Sequence, residues 1–409
     1  MSRHDAPSVM VLSGDNSNAV PVATELSEDL DAKIVGVGTT GWSRLLRSRH
    51  CDVGVTTVPT SHPKFGERLL TLLDQHEPDL LLPLGYAAVA STSAVREDIP
   101  DGIECWLPPW YSLDIAIDKQ RTASFATGLD IGTPEEYSEN VWEMDERGRR
   151  DEIERLPFPL FLKSRFEQGR TVTAEVEDPS EFWDTYEELV AEGETDVVVQ
   201  EHVPGERTYG CGLLFEHGTP RLTVGHEEVR SIPRRGGTGT RVRLFRDSHM
   251  EIAALRLLDA LEWHGPALVE FKRRPDGSYV LMEINPKFWA SYALASESGY
   301  RFASTIAARA LDLPLPRPRE VPDQSREMVF PLRELFYAVS TSDESLLRSV
   351  ASMSWPPASM DVNLRDLGGW LTPPARLRNI DEDAGDVKPR TDDRQVDPHR
   401  EADHAQTRN

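Results

Sequence analysis

Lysine is nearly missing from this chain. Of 45 basic residues in 409, seven are lysines (33, 64, 119, 163, 272, 287 and 388) and 38 are arginines. Cysteine is as scarce. Cys51, Cys105 and Cys211 are too few for a disulfide scaffold and lack the paired spacing of a zinc site. Cys51 and Cys211 have apolar or glycine-rich neighbours and read as buried, inert thiols. No run of about 18 apolar residues occurs, which excludes a membrane-spanning helix. The start of the chain has no basic segment leading into an apolar one, so no secretory signal is expected and the chain reads as cytoplasmic. There is no basic stripe, which argues against nucleic acid as a partner. No GxGxxG follows the first apolar run, so a dinucleotide site is unsupported.

Acid is abundant. The 69 Asp and Glu residues give a net charge of −24. Dense surface carboxylates with few lysines are what a high-salt cytosol favours, because they hold water where salt screens their repulsion. The chain therefore reads as a halophilic protein, and each retained lysine is a candidate for a specific task. A length of 409 residues with 39% apolar content suits about two to four domains with a sizeable core.

Short apolar runs at 9–12, 34–37, 53–58 and 79–84 alternate with helical patterns, among them Phe65, Leu69, Leu70, Leu72 and Leu73. This alternation predicts a parallel α/β sheet. The rhythm changes near 111–121. Residues 130–157 are polar and charged and read as a solvated connection. Strand-like runs recur at 159–163, 197–200, 210–215, 267–271 and 279–284, with a helix over 181–191. Residues 317–326, rich in proline and charge, mark a boundary. Residues 381–409 hold nine acids and five bases with no Leu, Ile, Phe, Tyr, Trp or Met. Such a tail cannot bury enough apolar surface to offset its ordering entropy and is expected to be disordered.

The chemistry concentrates in two strands. Leu268–Lys272 carries one acid, Glu270. After a turn at 273–277, Leu281–Lys287 carries Glu283 and Asn285 on one face and Met282 and Ile284 on the other. An antiparallel pairing brings Glu270 and Glu283 together. Two carboxylates and an amide oxygen are hard ligands that suit Mg²⁺, which keeps several waters and completes its shell with phosphate. Two of the rare lysines, Lys272 and Lys287, flank these acids. Upstream, Phe161-Leu162-Lys163 ends a strand and precedes a polar segment with one glycine; a lysine there can meet phosphate as a point charge beneath a mobile loop. Val197–Gln200 leads into Glu201-His202-Val203-Pro204-Gly205-Glu206, a linker able to offer backbone groups to a purine and an acid to a ribose.

Taken in order, Asp118-Lys119, Phe-Leu-Lys163, Gln200-Glu-His-Val-Pro-Gly-Glu206, Glu270 and Glu283-Ile-Asn-Pro-Lys287 resemble the ATP-grasp superfamily over roughly residues 8–312. With Phe288-Trp289 following, they look closest to its carboxylate–amine ligase-like branch. The resemblance implies an α/β and α+β ATP-grasp architecture. It comprises an N-terminal α/β domain (1–115), an ATP-grasp domain (116–312) with a lid lobe to 206 and a metal and phosphate lobe from 207, a C-terminal extension (313–378) and the acidic tail (379–409). It implies that Lys119 and Lys163 contact ATP phosphates, that Gln200, Glu201 and Val203 hold adenine, the last two mainly through backbone, and that Glu206 binds ribose. Glu270, Glu283 and Asn285 would carry Mg²⁺, with Mn²⁺ as an alternative. The segment 230–241, with Arg235 and Arg241, resembles the loop facing an acyl phosphate. Lys287 stands where the family has arginine, keeping the charge without the bidentate fork. Phe288, Trp289 and Tyr292 read as core.

The implied activity is ATP-dependent joining of a carboxylate to an amine through an acyl phosphate, with small-molecule substrates, no membrane or nucleic-acid partner, and room for a homo-oligomer. A phosphotransferase of the same fold and a catalytically silent nucleotide-binding protein are the competing readings. The acidic surface generates its own test. In dilute buffer the carboxylates repel over a longer Debye length, so the melting temperature is expected to rise between low and molar KCl. An unchanged value would remove the high-salt reading.

Overall fold

The structure, a computed structural model, describes residues 6–166, 173–191, 196–205, 207–232, 238–317, 326–340 and 359–371. Glu206, Arg235, most of the lid segment after Lys163 and the acidic tail lie outside the described residues. Among those described, 15 strands form three sheets. No helix among them is long and apolar enough to cross a membrane.

The first sheet contains β1 (Ser8–Leu12), β2 (Lys33–Gly38), β3 (Val53–Thr56), β4 (Leu80–Pro83) and β5 (Glu104–Cys105), all parallel in the order β3-β2-β1-β4-β5. Its central strands are continuous apolar runs because both faces are covered. Val9, Val11, Leu80 and Leu82 meet Val22, Ala23 and Leu26 of the helix Ala19–Leu30. Met10, Leu12 and Leu81 meet Phe65, Leu69, Leu72 and Leu73 of the helix Phe65–His76.

The second sheet is antiparallel, with β6 (Leu160–Ser164) between β7 (Thr173–Val176) and β8 (Val197–Glu201). The helix Pro179–Ala191 covers it through Phe182 and Leu189. The connection before it departs from the sequence reading. Helices Ser138–Trp142 and Glu146–Ile153 form there, and Tyr137, Val141 and Ile153 enter the core of this sheet. Three apolar side chains spread among many charges show no period, so tertiary burial rather than local pattern orders the segment.

The third sheet is built from β9 (Thr208–Glu216), β10 (Thr219–Ile232), β11 (Thr238–Leu244), β12 (Gly265–Arg273), β13 (Tyr279–Asn285), β14 (Glu327–Val329) and β15 (Ser359–Met360), in the order β13-β12-β9-β10-β11-β14-β15. One face packs Cys211, Leu213, Val269 and Phe271 against Leu257, Leu258 and Trp263, within and just beyond the helix Ser248–Ala260. Cys211 is fully buried, and burial raises its thiol pKa; Cys51 is half-buried and raised for the same reason. The other face packs Leu214, Val224 and Leu268 with Phe288, Trp289, Tyr292 and Phe302, in a core continuous with the helix Ala19–Leu30. Gly212 makes room for the Trp289 ring, which a Cβ there would overlap. At the seam between the first and third sheets, Glu25 is fully buried. Tyr292 Oη and Ser296 Oγ each donate to it at 2.7 Å, and Ser304 N at 2.9 Å. Burial raises its pKa, while Arg301 opposes the shift.

Candidate functional site

The β12–β13 hairpin turns through Arg274–Ser278, where Gly277 takes φ 91° and Asp276 accepts from Ser278 N at 2.9 Å. Its register sets Glu270 opposite Glu283 and Leu268 opposite Asn285. Asn285 Nδ2 donates to Glu270 Oε2 at 3.0 Å and to Glu283 Oε1 at 2.9 Å. Two adjacent carboxylates in a partly buried setting cannot both ionise cheaply. Burial and the neighbouring Glu283 push Glu270 well above the carboxylate range. Burial opposes ionisation of Glu283 too, but Lys119, the Glu270 hydrogen bond and Lys163 together hold it below that range. The two carboxyls are thus driven in opposite directions by their surroundings.

Two lysines converge on Glu283. Lys119 opens the helix Lys119–Thr127, whose N-cap Asp118 accepts from Gln120 N at 3.0 Å and Arg121 N at 3.2 Å. Arg165, just beyond β6, grips the same carboxylate through Nε at 3.0 Å and Nη2 at 2.6 Å. This clamp fixes the start of the helix to the end of β6, so Lys119 and Lys163 face one space. Lys119 Nζ lies 3.9 Å from Glu283 Oε2. Lys163 Nζ donates to Met282 O at 3.3 Å, and only 6% of the residue is exposed. Burial lowers its pKa to about 8, Lys119 adds to the shift, and Glu283 and Glu136 oppose it.

Gln200, 4% exposed, closes the other end of the cleft, which Lys119, Glu136, Lys163, Val198 and Met282 also line. Its Nε2 is buried with no hydrogen-bond partner, and a buried donor in that state is costly. The Glu201 side chain is already engaged by the Arg274 guanidinium, whose Nη2 lies 2.7 Å from Oε2, and by Glu135 N at 3.2 Å. Its backbone N–H is engaged as well, donating to Glu135 O at 2.8 Å. Val203 is 3% exposed, and Lys272 Nζ donates to Gly205 O at 2.7 Å, tying this linker to β12. Lys272 is thus a structural tether of the linker.

Arg241 is not brought to the carboxylates. Glu270 is in register with Gly210, Gly210 with His226, and His226 with Leu244, so alternation along β11 turns Arg241 to the opposite face. There its Nε pairs with Glu327 Oε2 at 2.7 Å. Lys287 follows β13 directly, and its charge lowers the Glu270 pKa. Two residues the sequence reading passed over belong near the site. Glu228 on β10 accepts from the Gly239 backbone, and burial pushes its pKa up to about 7. Arg333, in the helix Pro331–Ser340, donates to Gly239 O at 2.7 Å, Ala290 O at 3.1 Å and Ser17 Oγ at 3.2 Å. Neither stands in a motif. The one signal for Glu228 was its place on the strand leading into the arginine- and glycine-rich loop.

Among the described residues no group of three or more His, Cys, Asp or Glu side chains is placed to hold a metal. The set at β12–β13 is two carboxylates and one amide. It fits a cation that keeps most of its own waters, provided the Asn285 amide turns its oxygen inward.

Lys163 gives a pH test. With a pKa near 8 folded and 10.5 as a free lysine, the unfolded chain binds more protons between those values, so stability rises with pH across that window. Below about 8 the burial cost is present in full. Chemical denaturation is expected to show the wild type gaining on a Lys163→Met variant between these pH values; a constant offset would contradict the burial of this ammonium.

No protein-family model matches the chain, and no curated protein matches it. Solved structures do. An ADP complex of N5-carboxyaminoimidazole ribonucleotide synthetase superposes with a TM-score of 0.62 at 14% identity, covering 87% of this chain and 88% of that one. The biotin carboxylase domain of 2-oxoglutarate carboxylase from Hydrogenobacter thermophilus, in complex with MgADP, ADP and bicarbonate, gives 0.61 at 14% identity, covering 79% and 74%. An L-amino acid ligase from Bacillus licheniformis gives 0.56 at 14% identity, covering 76% and 75%. These are ATP-grasp enzymes, and at such identities the likeness is one of architecture. The three sheets, their order and the cleft between them give this chain the ATP-grasp fold.

Proposed function

We propose that the protein is an ATP-dependent ligase that joins a carboxylate to an amine through an acyl phosphate, releasing ADP and phosphate. The observation that carries this reading is one cleft with two chemistries. At one end Lys119 and Lys163 meet Glu270, Glu283 and Asn285. At the other, the unpartnered amide of Gln200 sits beside the backbone of β8 and its linker. The first end suits a polyphosphate and the second a purine edge. Structures of similar fold hold ADP, which supports a nucleotide as the occupant.

In this reading Lys119 and Lys163 bind the phosphates, and Gln200 and the backbone at Glu201 and Val203 hold adenine. Arrival of phosphate raises the Lys163 pKa, because a nearby anion favours the ammonium. Glu270, Glu283 and Asn285 would hold Mg²⁺, which supplies neutralisation of charge on the terminal phosphates. The substrate carboxylate attacks the γ-phosphorus as the bond to the β-phosphate oxygen breaks, giving acyl phosphate and ADP. The amine then attacks the acyl carbon, phosphate leaves with one oxygen of the former carboxylate, and the nitrogen loses a proton. Positioning and charge stabilisation supply the acceleration. Lys287, two residues beyond β13, would meet the transferred group in this reading, whereas Arg241 is assigned to its pair with Glu327.

Two experiments test this. Glu283→Gln keeps the side-chain size and removes a charge, so Mg²⁺-dependent nucleotide binding is expected to weaken at least tenfold with the fold kept; unaltered binding would place the site elsewhere. In a screen of carboxylates against amines followed by ADP release, an active pair should transfer one heavy oxygen from labelled carboxylate to phosphate. AMP and pyrophosphate would indicate adenylation, and a phosphorylated product would indicate a phosphotransferase.

A further inference from the structure

Glu227 and Glu228 are neighbours on β10 with opposite surroundings. Glu227 is 1% exposed and is held by Arg207 Nη1 at 2.8 Å and by Arg243 Nη2. Glu228 is half-buried and, by alternation, turns to the other face of the sheet. That face carries Glu270. Gly210 is in register with both Glu270 and His226, and Glu228 follows His226 by two residues. The charge of Glu228 is among the causes that raise the Glu270 pKa. The site therefore holds a third carboxylate beside the two on β12 and β13.

This carboxylate is fixed by backbone alone. The Gly239 backbone donates to it, and a Cβ on Gly239 would lie 2.5 Å from Oε1, so glycine is required where the chain passes. Among the described residues no side chain makes an ion pair or hydrogen bond with Glu228; Arg333 and Lys272 act on it through their charge. Both direct donors elsewhere, Arg333 to Gly239 O, Ala290 O and Ser17 Oγ, and Lys272 to Gly205 O. Across the sheet the order is Glu283 on β13, Glu270 on β12, Gly210 on β9 and Glu228 on β10. Lys119 and Lys163 approach at the Glu283 end. Glu228 stands at the other end of the row, with about 10 Å between the backbones of β12 and β10. An acyl group above Glu270 would have the nucleotide on one side and Glu228 on the other.

We infer that Glu228 receives the attacking nitrogen, and that the nucleophile is a primary amine delivered as its ammonium. The inference rests on the ligase reading and deepens it. An ammonium has three donors and no acceptor, which suits a carboxylate whose one hydrogen bond comes from backbone. The ammonium gives one proton to Glu228 and thereby frees its lone pair. The nitrogen then bonds to the acyl carbon, the bond from that carbon to the phosphate oxygen breaks with its electron pair leaving on phosphate, and the departing phosphate takes the second surplus proton. Burial, which lifts the Glu228 pKa to about 7, makes this carboxylate a stronger base than an exposed one.

Hydroxylamine separates this step from the one before it. It is uncharged at neutral pH and attacks an acyl phosphate without needing an acceptor for its proton. The probes are ATP with the carboxylate–amine pair that the screen returns, and hydroxylamine offered in place of that amine. In Glu228→Gln, nearly isosteric, the ratio of amide to hydroxamate is expected to fall about a hundredfold, with the melting transition retained. Glu228→Asp, which keeps the acid, should recover part of that loss. The charged and titratable groups facing Glu228 are Glu270 and Lys272 from β12, Arg333 from the helix Pro331–Ser340, and His226 from its own strand, which burial keeps neutral with a pKa of about 4. All remain in the Gln variant. Its ratio should therefore rise about tenfold per pH unit between about 7.5 and 9 as free amine accumulates, more steeply than in the wild type. An unchanged ratio, a folded Gln variant that loses hydroxamate together with amide, or a ratio that stays flat as pH rises would each overturn the assignment. A wild type that releases ADP with no carboxylate and forms neither product would instead overturn the ligase reading, and the assignment with it.

Discussion

Two like charges held side by side on neighbouring strands set the terms for the rest of this molecule. The β12–β13 register fixes Glu270 against Glu283, and folding therefore carries an electrostatic cost unless cations or a proton offset it. The offset comes from the Asn285 amide and from the ammonium groups of Lys119 and Lys163. Lys119 reaches the pair from the helix Lys119–Thr127 and Lys163 from β6, so the carboxylates are a point where the second and third sheets meet. In a chain with seven lysines, placing two here is consistent with a site built around compact, strongly hydrated charge rather than the broad guanidinium used elsewhere on the surface.

The first and third sheets share a continuous core, whereas the β6–β8 sheet meets the third through a few specific ties. Asp118–Arg165 joins the helix of Lys119 to β6, Lys163 joins β6 to Met282 on β13, and Glu201–Arg274 and Lys272–Gly205 join β8 and the linker after it to the β12–β13 hairpin. All four are charge-assisted, and such bonds are directional as well as strong. They fix orientation across joints where the apolar contact is slight.

Much of this was legible in the sequence. The parallel sheet was visible because its central strands are uninterrupted apolar runs, and the β12–β13 pairing because Glu270, Glu283 and Asn285 sit at alternating positions about a turn. Phe288, Trp289 and Tyr292 read as core and are 2%, 3% and 0% exposed. The helices between 138 and 153 were not legible, since their burial depends on three apolar residues that only the assembled sheet selects. Arg241 was misjudged in its surroundings: a motif supplies a residue type, but the face it takes depends on the register of β9–β12, and its partner Glu327 lies 86 residues away. Arg333 could not be found by pattern, because its three acceptors are main-chain and hydroxyl oxygens from three separate segments.

Glu25 bears on how this architecture can be recombined. The part carrying the first sheet presents a buried carboxylate whose donors, Tyr292, Ser296 and Ser304, all follow β13 of the third sheet, with Arg301 beside them. A chimera that exchanges the first sheet and its helices for another of the same fold would leave either an orphaned acid or three orphaned donors in the seam. The two parts are therefore transferable only as a matched set, and the lid sheet, which has its own core and contributes nothing to that seam, is the piece open to independent exchange.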